Sequence, residues 1–386
     1  MSEKSLNSGS DVYQESVDLH RRFQGKLAIQ SKVPLLNRAD LSLAYTPGVA
    51  EVCRVIAKDK TQSRALTMKG NMVAVISDGS AILGLGNLGA AAALPVMEGK
   101  CALFKEFAGV DAFPICLDTQ DEEEIIKTIK YLAPVFGGIN LEDISAPRCF
   151  KIEARLKAEL DIPVMHDDQH GTATVVLAGL INALKVRGSD KAEVKIVVSG
   201  AGAAGVAVTK LLLLYGFKNI IVCDRDGAIY EGRTGLNPTK QDLALQTNRS
   251  KLSGGLAEAI KGADIFIGVS APGILSGEMV RSMAARPIVF ALANPVPEIM
   301  PADAKQAGAY IIASGRSDYP NQINNVLVFP GIFRGALDNQ VRQITDEMLL
   351  KAAENLAAVV KEPTPELILA DPFNKEVAKA VAAAIY

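Results

Sequence analysis

The spacing of apolar residues changes partway along this chain, and the change divides it. Val12–Ala28 carries helical spacing, whereas the segment 40–50 (DLSLAYTPGVA) is short and proline-punctuated and reads as a loop. NMVAVISDG (71–79) is an apolar, β-prone run closed by an Asp-Gly turn, Ala81–Lys100 has the small-residue composition of a helix, and Ala112–Leu117 reads as another strand. Helical patterns cover Asp121–Leu132 and Arg148–Leu160. A polar cluster follows, His166-Asp167-Asp168-Gln169-His170, with a helix rich in Ala, Val and Leu starting just beyond it.

From Glu193 onward, strands of near-continuous apolar residues (VKIVVSG, NIIVCD, ADIFIGV, PIVFAL, YIIAS) alternate with helical or loop segments. That alternation predicts a parallel sheet covered on both faces. The fold class is therefore α/β with two domains: a smaller N-terminal α/β domain over residues 1–165, and a doubly wound, Rossmann-type domain over 166–386 that includes the C-terminal helices. The boundary falls near 166–186, and the helices after about Asp338 are expected to pack back across either domain. A chain of 386 residues agrees with two domains, since a single core stops growing below that length.

GxGxxG occurs twice, at Gly84–Gly89 and at Gly200–Gly205. A dinucleotide site needs its glycines directly after a strand and opening a helix, so that the pyrophosphate meets backbone N–H groups at the helix's positive end. The second copy has this context, which makes Gly200, Gly202, Ala203, Ala204 and Gly205 the candidate cofactor loop. Asp224 closes the next strand 24 residues after Gly200, where an acid bonds a ribose 2′-hydroxyl. It favours NAD, while Arg225 beside it leaves NADP open. The first copy is separated from its strand by a turn and reads as close-packed backbone or a substrate-facing turn.

Charge and cysteine usage narrow the class further. A net charge of -2 supplies no broad cationic field for nucleic acid or anionic membrane. The five cysteines are scattered and never in CxxC spacing, which argues for reduced thiols rather than disulfides or a zinc knuckle. No apolar stretch reaches the ~20 residues of a membrane span, and the N-terminus has no signal-like apolar core, so a cytoplasmic protein is expected, its polar first ten residues frayed.

Two acidic pairs, Glu142-Asp143 and Asp167-Asp168, stand 25 residues apart. Three converging carboxylates would suit Mg²⁺ or Mn²⁺, hard cations that prefer oxygen, whereas such pairs on a surface merely cap helices. His166 and His170 stand four apart, a spacing that would put both on one face of a helix, but HExxH is absent and zinc lacks a third ligand, so both imidazoles read as orienting or structural groups.

Seven segments now stand in order between about Leu41 and Gly335: LSLAYTPGVA, SDGSAILGLGNLG, PVMEGK, HDDQHGTATVVLAGL, GAGAAG, ALANPVPEI and NNVLVFPG. Together they resemble malic enzyme in its short microbial form. The resemblance implies metal-dependent oxidative decarboxylation of malate to pyruvate and CO₂ with reduction of NAD or NADP, in a homodimer. It further implies proton transfer by Tyr45 and Lys100, metal ligation by Glu142, Asp143 and Asp168, and support of the ligands or the lysine by Asp167. Asn294, Asn324 and Asn325 match positions that contact substrate and nicotinamide ribose. Long eukaryotic relatives hold a substrate carboxylate with an arginine where this chain has Ala81, so another group, such as the backbone N–H groups of Ser80–Gly89, must take that task.

The implied chemistry asks that Lys100 serve as a neutral base, its pKa lowered from about 10.4 by burial and a nearby cation, and that Tyr45 protonate C3 of the enol. Read without the resemblance, Lys100 is a surface charge after a helix and Tyr45 an aromatic packed beside Pro47. Two rivals remain: an amino-acid or methylene-tetrahydrofolate dehydrogenase, which needs no carboxylate-bound cation, and a nucleotide sensor without chemistry.

Overall fold

Continuous runs of apolar residues, too few polar positions to leave a face in water, dictate strands buried on both sides. The computed structural model describes residues 9–82 and 84–386, so the first eight residues of the segment expected to fray, and Leu83, lie outside the described residues. The first sheet contains β1 (Met72–Ser77), β2 (Asp111–Cys116), β3 (Gly138–Leu141) and β4 (Val164–His166), all parallel in the order β2-β1-β3-β4. The second contains β5 (Lys195–Ser199), β6 (Asn219–Asp224), β7 (Gly227–Ala228), β8 (Ile265–Gly268), β9 (Ile288–Ala291) and β10 (Ile311–Ser314), in the order β10-β9-β8-β5-β6-β7. Only the β6–β7 pair is antiparallel. The order reverses at β5, the arrangement of a Rossmann-type sheet, whose crevice lies at the strands' carboxyl ends.

Among the described residues four α-helices precede β1: α1 (Gly9–Phe23), α2 (Arg38–Ala44), α3 (Val49–Lys58) and α4 (Ser63–Leu66). The loop expected over 40–50 is thus largely helical. Asn37 caps α2 by accepting from the Asp40 N–H, and only the turn around Pro47 separates α2 from α3. None of α2, α3 and α4 holds a buried residue.

Between and after the first strands come α5 (Ala90–Ala108), α6 (Glu122–Leu132) and α7 (Arg148–Glu159), then α8 (Asp167–Arg187) and α9 (Ala203–Tyr215). The polar cluster at 166–170 was expected to precede a helix; instead it forms the first turn of α8. Asp167 and Asp168 stand where the helix dipole favours negative charge, and Gly188 in the left-handed region (φ 73) stops the other end. α8 is buried along most of its length and packs against both sheets' layers, so Val73, Met97 and Phe104 share one core with Val176, Val198 and Phe290. The helix Phe329–Asp338 returns onto α5, where the Phe329 and Phe333 rings meet Phe104 edge-on at 4.7 and 5.4 Å. All five cysteines are free, and no helix among the described residues is long and apolar enough to cross a membrane.

Candidate active site

Strand register explains how two acidic pairs 25 residues apart meet. β3 and β4 are parallel neighbours with Leu141 opposite His166, so the residues that follow each strand emerge side by side. Those residues are Glu142-Asp143 and Asp167-Asp168. Oxygens of Glu142, Asp143 and Asp168 lie within 4.8 Å of one another, the one such group of potential metal donors among the described residues. The Asp143 N–H donates to Asp168 Oδ2 at 2.8 Å, and Asp143 itself takes φ 53, an uncommon conformation for a residue with a side chain.

These acids are crowded and dry. Glu142 and Asp143 are 3% and 4% exposed and Asp167 is fully buried, although a third of the Asp168 side chain still reaches solvent. Burial pushes Glu142 up to about 7 against the pull of Lys100, and Asp167 up to about 6; burial and the neighbouring Asp167 also raise Asp168. A cluster that resists carrying its own negative charge is one that a hard cation would stabilise, and an all-oxygen donor set fits Mg²⁺ or Mn²⁺.

Lys100, on α5, points into this cluster. Its Nζ lies 2.7 Å from Asp167 Oδ2, 2.9 Å from Glu142 Oε1 and 3.5 Å from Asn325 Oδ1, and sits 4.4 Å above the Phe329 ring. It is a buried group, not a surface charge. The expected lowering of its pKa is not what the protein's own charges produce: burial does lower it, but the Asp167 and Glu142 carboxylates outweigh that and hold the ammonium above the ordinary lysine range. Removing this proton requires positive charge beside Glu142 and Asp168.

The second glycine loop has the geometry a pyrophosphate needs. It runs from β5 into α9, whose first N–H groups, from Ala203 and Ala204 onward, open toward solvent with Gly202 exposed at the cap. A Cβ at Gly205 would run into the Gly200 carbonyl, so only glycine permits this close pass. In the first glycine loop residues 84–88 are exposed and Gly86 and Gly89 face open space; only Gly84 (φ 73) is tightly placed, abutting the Asn294 carbonyl, which brings the loop after β1 against the loop after β9. Asn294 is exposed in that crevice, and Asn324 caps the turn 325–327 by accepting from the Val326 N–H, which sets Asn325 beside Lys100.

Asp224 is not a free acid. Its Oδ1 accepts from Arg233 at 2.7 Å and its Oδ2 from Lys240 at 2.6 Å, and despite partial burial these cations hold the carboxyl below its usual range. Arg225 is exposed. Neither Arg233, from the irregular stretch after β7, nor Lys240, from the first turn of the helix Pro238–Gln246, was anticipated, because neither carries a motif.

Tyr45 stands apart from all of this. It ends α2 and is 67% exposed, whereas Lys100 is buried among the acids. Its neighbours Leu36 (85% exposed) and Leu43 (78%) are equally uncovered. His170 Nε2 donates to the Glu153 carboxylate at 2.9 Å, and fully buried His166, held down to about 4 by burial, is neutral at pH 7. Neither imidazole belongs to the group of converging metal donors. Glu153 is a further residue that no sequence signal marked.

A Rossmann-type sheet with a pyrophosphate-ready loop, set against a buried lysine and a carboxylate trio, defines an oxidoreductase of the dinucleotide-binding α/β class. The description "Malic enzyme, N-terminal domain" matches residues 24–124 and 119–157, and "Malic enzyme, NAD binding domain" matches 169–386. The chain is 57% identical over 375 residues to the bifunctional malic/malolactic enzyme of Bacillus subtilis (96% of this chain, 92% of that one). It is 59% identical over 363 residues to the NAD-dependent malic enzyme of Geobacillus stearothermophilus (94% and 76%). The crystal structure of the NAD-dependent malic enzyme from Thermotoga maritima superposes with a TM-score of 0.93 at 51% identity, covering 96% of this chain and 98% of that one. The chain belongs to the malic enzyme family.

Proposed function

We propose that this protein oxidatively decarboxylates malate to pyruvate and CO₂, reducing NAD or NADP, with a divalent cation held by Glu142, Asp143 and Asp168. The observation that carries the reading is the Lys100 ammonium bridging Asp167 and Glu142 at 2.7 and 2.9 Å beside that carboxylate trio. A bound Mg²⁺ or Mn²⁺ would supply Lewis-acid stabilisation of negative charge on the substrate's C2 oxygen, and the bound dinucleotide would take the C2 hydride. Lys100, once its proton has passed on, accepts the C2 hydroxyl proton; Asp167 holds the amine in place and stabilises it when charged. Asn325 and Asn294 orient substrate, while Gly200–Gly205, Asn324 and the Asp224 region hold the dinucleotide. As the C4 carboxylate leaves as CO₂, C3 keeps the bond's electron pair and takes a proton from Tyr45.

Tyr45 is 67% exposed while Lys100 is buried against Asp167, Glu142 and Asn325, which supports a homodimer in which each Tyr45 completes the partner's site. Helices without buried residues and uncovered Leu36, Leu43 and Tyr45 support the same reading, since contiguous exposed apolar surface marks an interface. At the dinucleotide's ribose end, Arg233 and Lys240 on Asp224 leave the locale cationic, which supports tolerance of a 2′-phosphate alongside NAD.

The deciding experiment follows NAD(P)H absorbance with malate, comparing both cofactors with and without Mn²⁺. Mn²⁺-dependent reduction with pyruvate as product is expected. Metal-independent reduction favours the other dehydrogenases, and dinucleotide binding without any reduction favours a sensor.

A further inference from the structure

Glu153 lies on α7, outside the lysine–carboxylate centre, yet it is a carboxylate only 5% exposed and must be compensated where it stands. Its Oε1 accepts from the His166 backbone N–H at 2.9 Å and from Lys157 Nζ at 2.9 Å. Its Oε2 is 2.9 Å from His170 Nε2 and accepts from Gln169 Nε2 at 3.4 Å. Three of these four partners belong to the stretch 166–170, on both sides of Asp167 and Asp168. The fourth, Lys157, is one turn further along α7.

The end of α8 that Glu153 grips has no other cap. His166 is its N-cap residue and makes no side-chain cap bond, so a carboxylate from a different helix satisfies the first N–H of a 21-residue helix. Although burial pushes the Glu153 carboxyl up, His170 and the Lys157 ammonium outweigh it and keep the group an anion. The far end of α8 is held by packing in the core, and its first turn is held by the Glu153 anchor together with the Asp143 N–H on Asp168, the Lys100 ammonium on Asp167 and the strand β4 that leads into it. That turn decides two separations: Asp168 to Glu142 and Asp143, within 4.8 Å, and Asp167 to Lys100, 2.7 Å.

We propose that Glu153 is a positioning residue that brackets Asp167-Asp168 from α7 and thereby sets the geometry of the cation site and of the lysine. The inference rests on the reading of Glu142, Asp143 and Asp168 as the cation's ligands. Its place is that of an outer partner orienting ligands it does not itself join, a role whose loss weakens metal binding about 10–100-fold.

The test measures Mn²⁺ affinity directly, by the electron paramagnetic resonance of free Mn²⁺ with no substrate present, for the unmodified protein, Glu153→Ala and Glu153→Gln. Dinucleotide affinity by calorimetry serves as the control for folding of the second sheet. Glu153→Ala is expected to weaken Mn²⁺ about 10–100-fold with dinucleotide affinity unchanged, and Glu153→Gln, which still accepts from the His166 N–H, to lose less. Turnover of both variants should recover in part at saturating Mn²⁺, which a merely structural role would not produce. Should Glu153→Ala fail to fold, Glu153→Gln carries the test. Variants that bind Mn²⁺ within about twofold of the unmodified protein overturn the proposal alone; no Mn²⁺ binding by the unmodified protein overturns the metal reading and the proposal together.

Discussion

Disabling the two proton-transfer groups in separate chains asks whether one site is built from two copies. Lys100→Ala removes the ammonium that bridges Asp167 and Glu142, and Tyr45→Phe removes only a hydroxyl from a side chain that is 67% exposed. Each variant by itself should be nearly inactive. When the two are co-expressed and assemble at random, half the dimers are mixed, and every mixed dimer has one site with both defects and one with neither. Turnover should therefore return to about one quarter of the unmodified level, read as malate-dependent NAD(P)H absorbance. The proposed dimer would have apolar surface to hold it: covering Leu35, Leu36, Leu41 and Leu43, all at least half exposed, would contribute about 1–2 kcal/mol each before association costs. Tyr45 acting within its own chain would leave every mixed site with one defect, and activity no greater than the mean of the two parents refutes the trans arrangement.

Asp168→Asn should abolish malate oxidation and weaken Mn²⁺ at least tenfold, about 1.4 kcal/mol, while leaving dinucleotide affinity intact; unchanged Mn²⁺ affinity by calorimetry removes Asp168 from the ligand set. Mn²⁺ affinity itself should fall with pH. Glu142 is raised to about 7 and Asp168 is raised with it, so both are carboxylates well above neutrality, and protons displace the cation as pH drops through 7. A flat affinity between pH 8 and about 5.5 contradicts those shifts. Lys240→Ala removes one of the two cations on Asp224 and frees a carboxylate oxygen, so kcat/KM for NADP should fall roughly 10–100-fold more than for NAD, the size of a charged hydrogen bond. An unaltered ratio of the two cofactors means that Lys240 does not face the ribose.

Much of the fold was legible because its signals are local. Five apolar runs after Glu193 became five parallel strands, since a run buried on both faces is apolar throughout. The glycine loop at 200–205 was legible for the same reason: strand, loop and helix are contiguous, and sterics at Gly205 operate between neighbours. β3 and β4, four and three residues long, gave no comparable pattern, and α2 hid behind the proline turn that follows it.

What the residues alone determined was which groups are present and which short elements carry them: two acid pairs, a lysine on a small-residue helix, a tyrosine beside a proline turn. Their distances to one another were decided only in three dimensions. The pairing of Leu141 with His166 joins Glu142 to Asp168, and α5 brings Lys100 between them from another part of the chain. Burial then raises the acids, and the acids in turn outweigh burial at the lysine and hold its proton, an effect no single residue type encodes because electrostatic energy depends on separation and solvent access. The same holds for Tyr45 on its uncovered arm, for the cations seated on Asp224 and for the Glu153 anchor, none of which has a signature along the chain.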